Sequence, residues 1–127
     1  MGDSTESTYI PRDILEKVGK YVFFHSDGHI EQIIPVLIEL GVDALNAQLF
    51  CMDIEETGAR YRGQITFWGE IDRQHILPFQ GPKEVKAAVA RVRKALDYGQ
   101  GGVIAQCEWG NDVPQENIEA VFDAWLD

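Results

Sequence analysis

At four places in this 127-residue chain a short apolar run gives way abruptly to side chains able to move protons or hold small substrates. Tyr21–Phe24 is followed by His25, Ser26 and Asp27; Val42–Leu45 by Asn46 and Gln48; Ile65–Trp68 by Glu70 and Asp72; Val103–Gln106 by Cys107, Glu108 and Trp109. Glu70 and Asp72, two apart on a turn, have the character of a general acid/base pair, one carboxyl raised in pKa if it is buried. The ordinary alternative for Asp72 is to cap the loop that follows. Asn46 and Gln48 can orient a substrate carboxylate or tie their loop down. Trp109 is a candidate for substrate contact at the rim, although tryptophans at such places mostly serve packing. His25 and Asp27 can also simply hydrogen-bond each other at a strand end.

Apolar runs of four that stop at polar residues read as buried parallel strands delivering their C-terminal ends to a working surface. The strands are expected at about 21–25, 42–45, 65–68 and 103–106. Between them lie helical patterns. Ile30, Ile33, Ile34, Leu37 and Ile38 form one face, with Pro35 acceptable only in the first turn and Gly41 as the stop. Asp53–Arg62 is a weaker helix because Gly58 interrupts it at about 1 kcal/mol relative to alanine. From Gly81-Pro82 onward, Val85, Ala88, Val89, Val92, Ala95 and Leu96 share a face; after Pro114, Ile118, Val121, Phe122 and Trp125 do so. A short helix ending at Gly19 precedes the first strand, and residues 1–9 read as a flexible polar leader, leaving 10–127 as one domain.

Strands alternating with helices predict an α/β fold with a parallel sheet. Two architectures accept four such units: a doubly wound sheet of flavodoxin type, or half of a (β/α)8 barrel. The flavodoxin type ranks lower, because Gly28 stands alone where a phosphate-cradling loop would need several glycines. None of the four runs carries the inward charge or proline that usually blunts a sheet edge, which favours a barrel piece. Such a piece leaves edges and inward faces bare, so a homodimer, as a completed barrel or as two sheets face to face, is expected.

The net charge of −10 and pI near 4.6 set the chain against nucleic acid and anionic membrane surfaces. No apolar run approaches the roughly 20 residues of a membrane span, and the N-terminus is too polar for a signal peptide. A cytoplasmic protein with Cys51 and Cys107 reduced is the expectation.

The stretches FFHSDGHI (23–30), ELGVDALN (39–46), FWGEIDRQ (67–74) and GGVIAQCEWGNDVPQENI (101–118), with GPKEV at 81–85, resemble the C-terminal half of the uroporphyrinogen decarboxylase superfamily, which includes corrinoid methyltransferases acting with coenzyme M. The resemblance implies strands five to eight of a TIM barrel. The decarboxylases' essential aspartate and substrate-gripping arginines belong to the other half, so neither can be placed here. The methyltransferase branch implies zinc held by a His-X-Cys pair and a later cysteine, activating a thiol to receive a methyl group. His25 and Cys107 match two of these ligands, while Asp27 stands at the middle cysteine. A His, Asp, Cys set can hold zinc with an open position, and its carboxylate also suits iron, cobalt or manganese. Cys51 is a spare ligand candidate. The resemblance further implies a corrinoid-carrying partner protein and a small-molecule substrate. The competing reading is a half-barrel without activity of its own that self-associates as a binding module.

Overall fold

The computed structural model describes residues 19–27 and 30–127. The helix expected before the first strand lies outside the described residues. Four strands, β1 (Phe23–Ser26), β2 (Ala44–Ala47), β3 (Thr66–Gly69) and β4 (Val103–Ala105), form one parallel sheet in the order β1-β2-β3-β4. Between and after them come α1 (Ile34–Glu39), α2 (Ile54–Tyr61), α3 (Pro82–Leu96) and α4 (Gln115–Leu126). A doubly wound sheet reverses its strand order at a switch point and carries helices on both faces. This one winds in a single direction. The structure is therefore a half TIM-barrel-like set of βα units, and the flavodoxin alternative falls.

Alternation along the strands explains the layering. Leu45, Ala47, Phe67 and Gly69 are buried toward the helices, where they meet Ile34, Leu37, Ile54, Val85, Val89, Val92 and Leu96. Their neighbours Phe23, His25, Asn46, Trp68 and Ile104 point to the opposite face and stay half-buried or exposed. Phe23 of β1 and Trp68 of β3 stack edge to face there at 4.6 Å, reaching each other across β2.

Several boundaries shift from the sequence expectation, and each shift has a cause. Strand β2 begins two residues later than Val42, because the Val42 amide is taken by Leu37 in the helix-ending turn at Gly41, φ 85°. Asn46 is consequently inside the strand. The helix after residue 28 opens with a 3-10 turn, Glu31–Ile33, so that Pro35 falls in the first α-turn, where its missing N–H is harmless. In α4 the buried residues are Asn117, Ala120, Val121 and Ala124, while Phe122 is 55% exposed. The expected stripe is thus rotated. Its cause is Asn117, whose Nδ2 donates to the carbonyls of Leu77 (2.8 Å) and Gln80 (2.7 Å), turning this polar residue inward.

Gly58, which weakens α2 in isolation, is demanded by packing. A Cβ there would sit 2.0 Å from the Ala95 carbonyl oxygen, since α2 and α3 cross almost backbone to backbone. Asp53 compensates at the N-cap by accepting from the Glu56 amide at 3.0 Å. Gly58→Ala should destabilise the fold by about 1–3 kcal/mol despite alanine's better helix propensity, because backbone must move to admit the methyl group. A denaturant midpoint at or above wild type would show that the two helices separate freely.

Candidate functional site

The strand register builds the site. His25 pairs with Asn46, Asn46 with Trp68 and Trp68 with Ile104, so these four residues form one row across the open face, while Phe23 and Ala44 belong to the row before it. His25 Nδ1 donates to Asn46 Oδ1 at 2.5 Å, since an amide oxygen can only accept. Asn46 Nδ2 in turn donates to Gln106 Oε1 at 3.4 Å, carrying a polar chain from β1 to the end of β4. The other imidazole nitrogen, Nε2, lies 3.6 Å from Asp27 Oδ1.

One step further along the strands, Arg73 faces three carboxylates from three different segments. Its guanidinium is 2.6 Å from Glu108 and 3.8 Å from each of Glu70 and Asp27. Glu70 is buried, and burial pushes its carboxyl up to about 7, Glu108, Asp27 and Asp72 adding to the rise against the opposing charge of Arg73. A carboxyl near 7 in a cleft beside a fixed cation has the properties of a proton-transfer group at neutral pH. Arg73 was not singled out from the sequence. The available signal was its position three residues beyond Glu70, in a turn that Asp72 starts.

Asp72 itself holds that turn. Its Oδ1 accepts from the amides of Gln74 (2.9 Å) and His75 (3.0 Å), and His75 Nδ1 lies 3.4 Å from Oδ2. Gln48 lines a small cleft of about 50 Å³ with Phe50, Cys51, Glu70, Asp72, Arg73, Gln74 and His75. Cys51, the spare ligand candidate, is exposed there, with its thiol 3.8 Å from Gln48 Oε1. So small a cleft leaves the open face as the approach for any substrate. A larger groove of about 520 Å³ lies between α2 and α3, around Glu55, Arg62, Arg91 and Lys94, away from the strand mouth.

Trp109 and Cys107 lie elsewhere, in a groove of about 390 Å³ between β4 and α4. Trp109 stacks edge to face on Phe122 at 6.1 Å. Cys107 packs against the core, and burial pushes its thiol up to about 11, away from the thiolate that metals bind. A catalytic zinc needs three protein ligands about 2.0–2.3 Å from one point. His25 Nε2 and Asp27 Oδ1 are spaced as two such donors, with Asn46 fixing the imidazole from behind. The structure does not bring Cys107 to them, and among the described residues no three His, Cys, Asp or Glu side chains gather where they could hold a metal. These donors do not fit a catalytic zinc, and the chemistry below does not pass through one.

No protein-family profile matches the sequence, and no curated protein matches it significantly. Among solved structures the fold is similar to a methyltransferase from Methanosarcina mazei, with a TM-score of 0.67 and 17% identity, covering 88% of this chain and 32% of that one. This chain thus spans about a third of that protein. The fold is methyltransferase-like. Among the described residues no helix is long and apolar enough to cross a membrane.

The raised Glu70 carboxyl makes stability depend on pH. Between the ordinary value of 4.5 and about 7, the folded protein holds a proton that the unfolded chain has released, so stability falls as pH rises through this window. The loss, on the order of 3 kcal/mol, is complete above pH 7. Unfolding free energies measured at pH 5 and pH 8 should differ by much less in Glu70→Gln than in wild type. Equal pH dependence in both proteins would place the titrating group elsewhere.

Proposed function

We propose that the strand mouth around Glu70 binds a small anionic thiol and that Glu70 accepts its proton as the sulfur takes a methyl group from a corrinoid carried by a separate protein. The observation that carries this reading is the buried Glu70 carboxyl, held near 7 beside Arg73. An ordinary thiol has a pKa of about 8.5 and only its thiolate is an effective nucleophile. Proton transfer to a base near 7 is therefore uphill by about 2 kcal/mol, a small part of a catalysed barrier.

The step balances without further reagents. The S–H bond breaks toward the Glu70 carboxylate, the freed sulfur pair forms the S–CH3 bond, and the pair of the carrier–methyl bond remains on the carrier. Arg73 binds the substrate's anionic end in place of the exposed Glu108 carboxylate. His25, Asn46 and Gln106 present a connected row of polar groups across which the substrate is oriented. The methyltransferase-like fold supports the reaction class, and the resemblance at 23–30, 39–46, 67–74 and 101–118 supports the corrinoid donor and thiol acceptor.

The test is spectroscopic. Methylcobalamin incubated with 2-mercaptoethanesulfonate and the protein should lose its methyl–cobalt absorbance faster than in buffer, with a rate that climbs through pH 7. Glu70→Gln should slow it by roughly 10²–10⁴-fold at unchanged fold. Arg73→Ala should raise KM for the sulfonate thiol more than for an uncharged one. No thiol-dependent rate above buffer, or an unimpaired Glu70→Gln protein, would overturn the assignment.

A further inference from the structure

We propose that a second copy of this chain covers the open face of the sheet and completes an eight-stranded barrel, each β4 pairing with the partner's β1. Parallel sheets are ordinarily covered on both faces, because crossover connections place helices or further strands there. Here the described helices pack their apolar stripes on one face. The other presents Tyr21, 85% exposed, with Phe23 at 48% and Ile104 at 41%, around the half-buried Trp68.

The edges say which partner fits. Four parallel strands in unbroken order make half the circumference of an eight-stranded barrel, and among the described residues no strand lies beyond β1 on one side or β4 on the other. A twofold axis along the barrel brings β4 of each copy beside β1 of its partner with every strand still parallel. Both junctions are then identical, so one kind of chain closes the ring. The apolar groove at the β4 edge lies at this junction: Ala105, Cys107, Trp109, Phe122, Trp125 and Leu126 line it, and Leu126 is 85% exposed.

Closure sets both copies of His25, Asp27, Glu70 and Arg73 around one mouth. It also joins two chains of net charge −10 each, so association strengthens as salt screens their repulsion. The inference does not rest on the methyl-transfer reading, and its test measures no activity.

The experiment is sedimentation of the chain at micromolar concentration, combined with hydrogen exchange. The expected result is a single species at twice 14.3 kDa, favoured by salt, in which the outward backbone amides of β1 and β4 exchange roughly a hundredfold slower than exposed amides. Leu126→Glu, at a site too exposed to be needed for the fold of one copy, should raise the dissociation constant at least tenfold. A folded species at the chain mass overturns the proposal. So does a dimer whose β1 and β4 edge amides exchange freely, which would place the interface on another surface.

Discussion

The burial of one sheet face beneath α3 is the constraint on which the other elements depend. Phe67 and Leu45 are fully buried, and a Cβ on Gly69 would press on Val92 and Val103 at 3.2 Å and on Trp125 at 3.3 Å. Such close packing fixes the height of α3 over the strands, and through the Gly58–Ala95 approach it fixes α2 as well. With strands and helices locked in register, the residues just past the strand ends have nowhere to go but the common mouth. The site is a by-product of the core.

That mouth concentrates negative charge around the Arg73 guanidinium. In water, three carboxylates near one guanidinium would each remain ionised. Here Glu70 is the one the protein buries, so it is the one that retains a proton near neutrality, while the exposed Asp27 and Glu108 remain available to Arg73. Position relative to solvent, more than residue type, separates the roles of these acids.

Much of this was legible in the sequence, because apolar runs ending at polar residues report directly on parallel strands. The four strands, the helices around Val85–Leu96 and after Pro114, and the gathering of His25, Asn46 and Glu70 at one end all follow from that pattern. What escaped it depended on contacts distant along the chain. Asn117 lies among apolar positions and looks like a surface residue until its two carbonyl partners, 37 and 40 residues away, are known. Arg73 is an ordinary loop residue until three segments bring acids to it. The resemblance matches Cys107 to a metal ligand, but just beyond β4 the cysteine packs against the core, as Val103 does.

The two bonds from Asn117 also join parts of the molecule that function separately. They fasten the segment leading from Glu70 and Arg73 through Leu77 and Gln80 to the first turn of the last helix. A helix end is where fraying begins, and a loop bearing reactive groups is where looseness does most harm. Because one amide side chain bridges the two, neither can open without uncovering the other's polar groups. The last helix therefore acts as a clasp on the mouth: its order is a condition for the arginine and the buried acid to keep their spacing, and a disturbance at the chain's end is felt first among the charges at the sheet's rim.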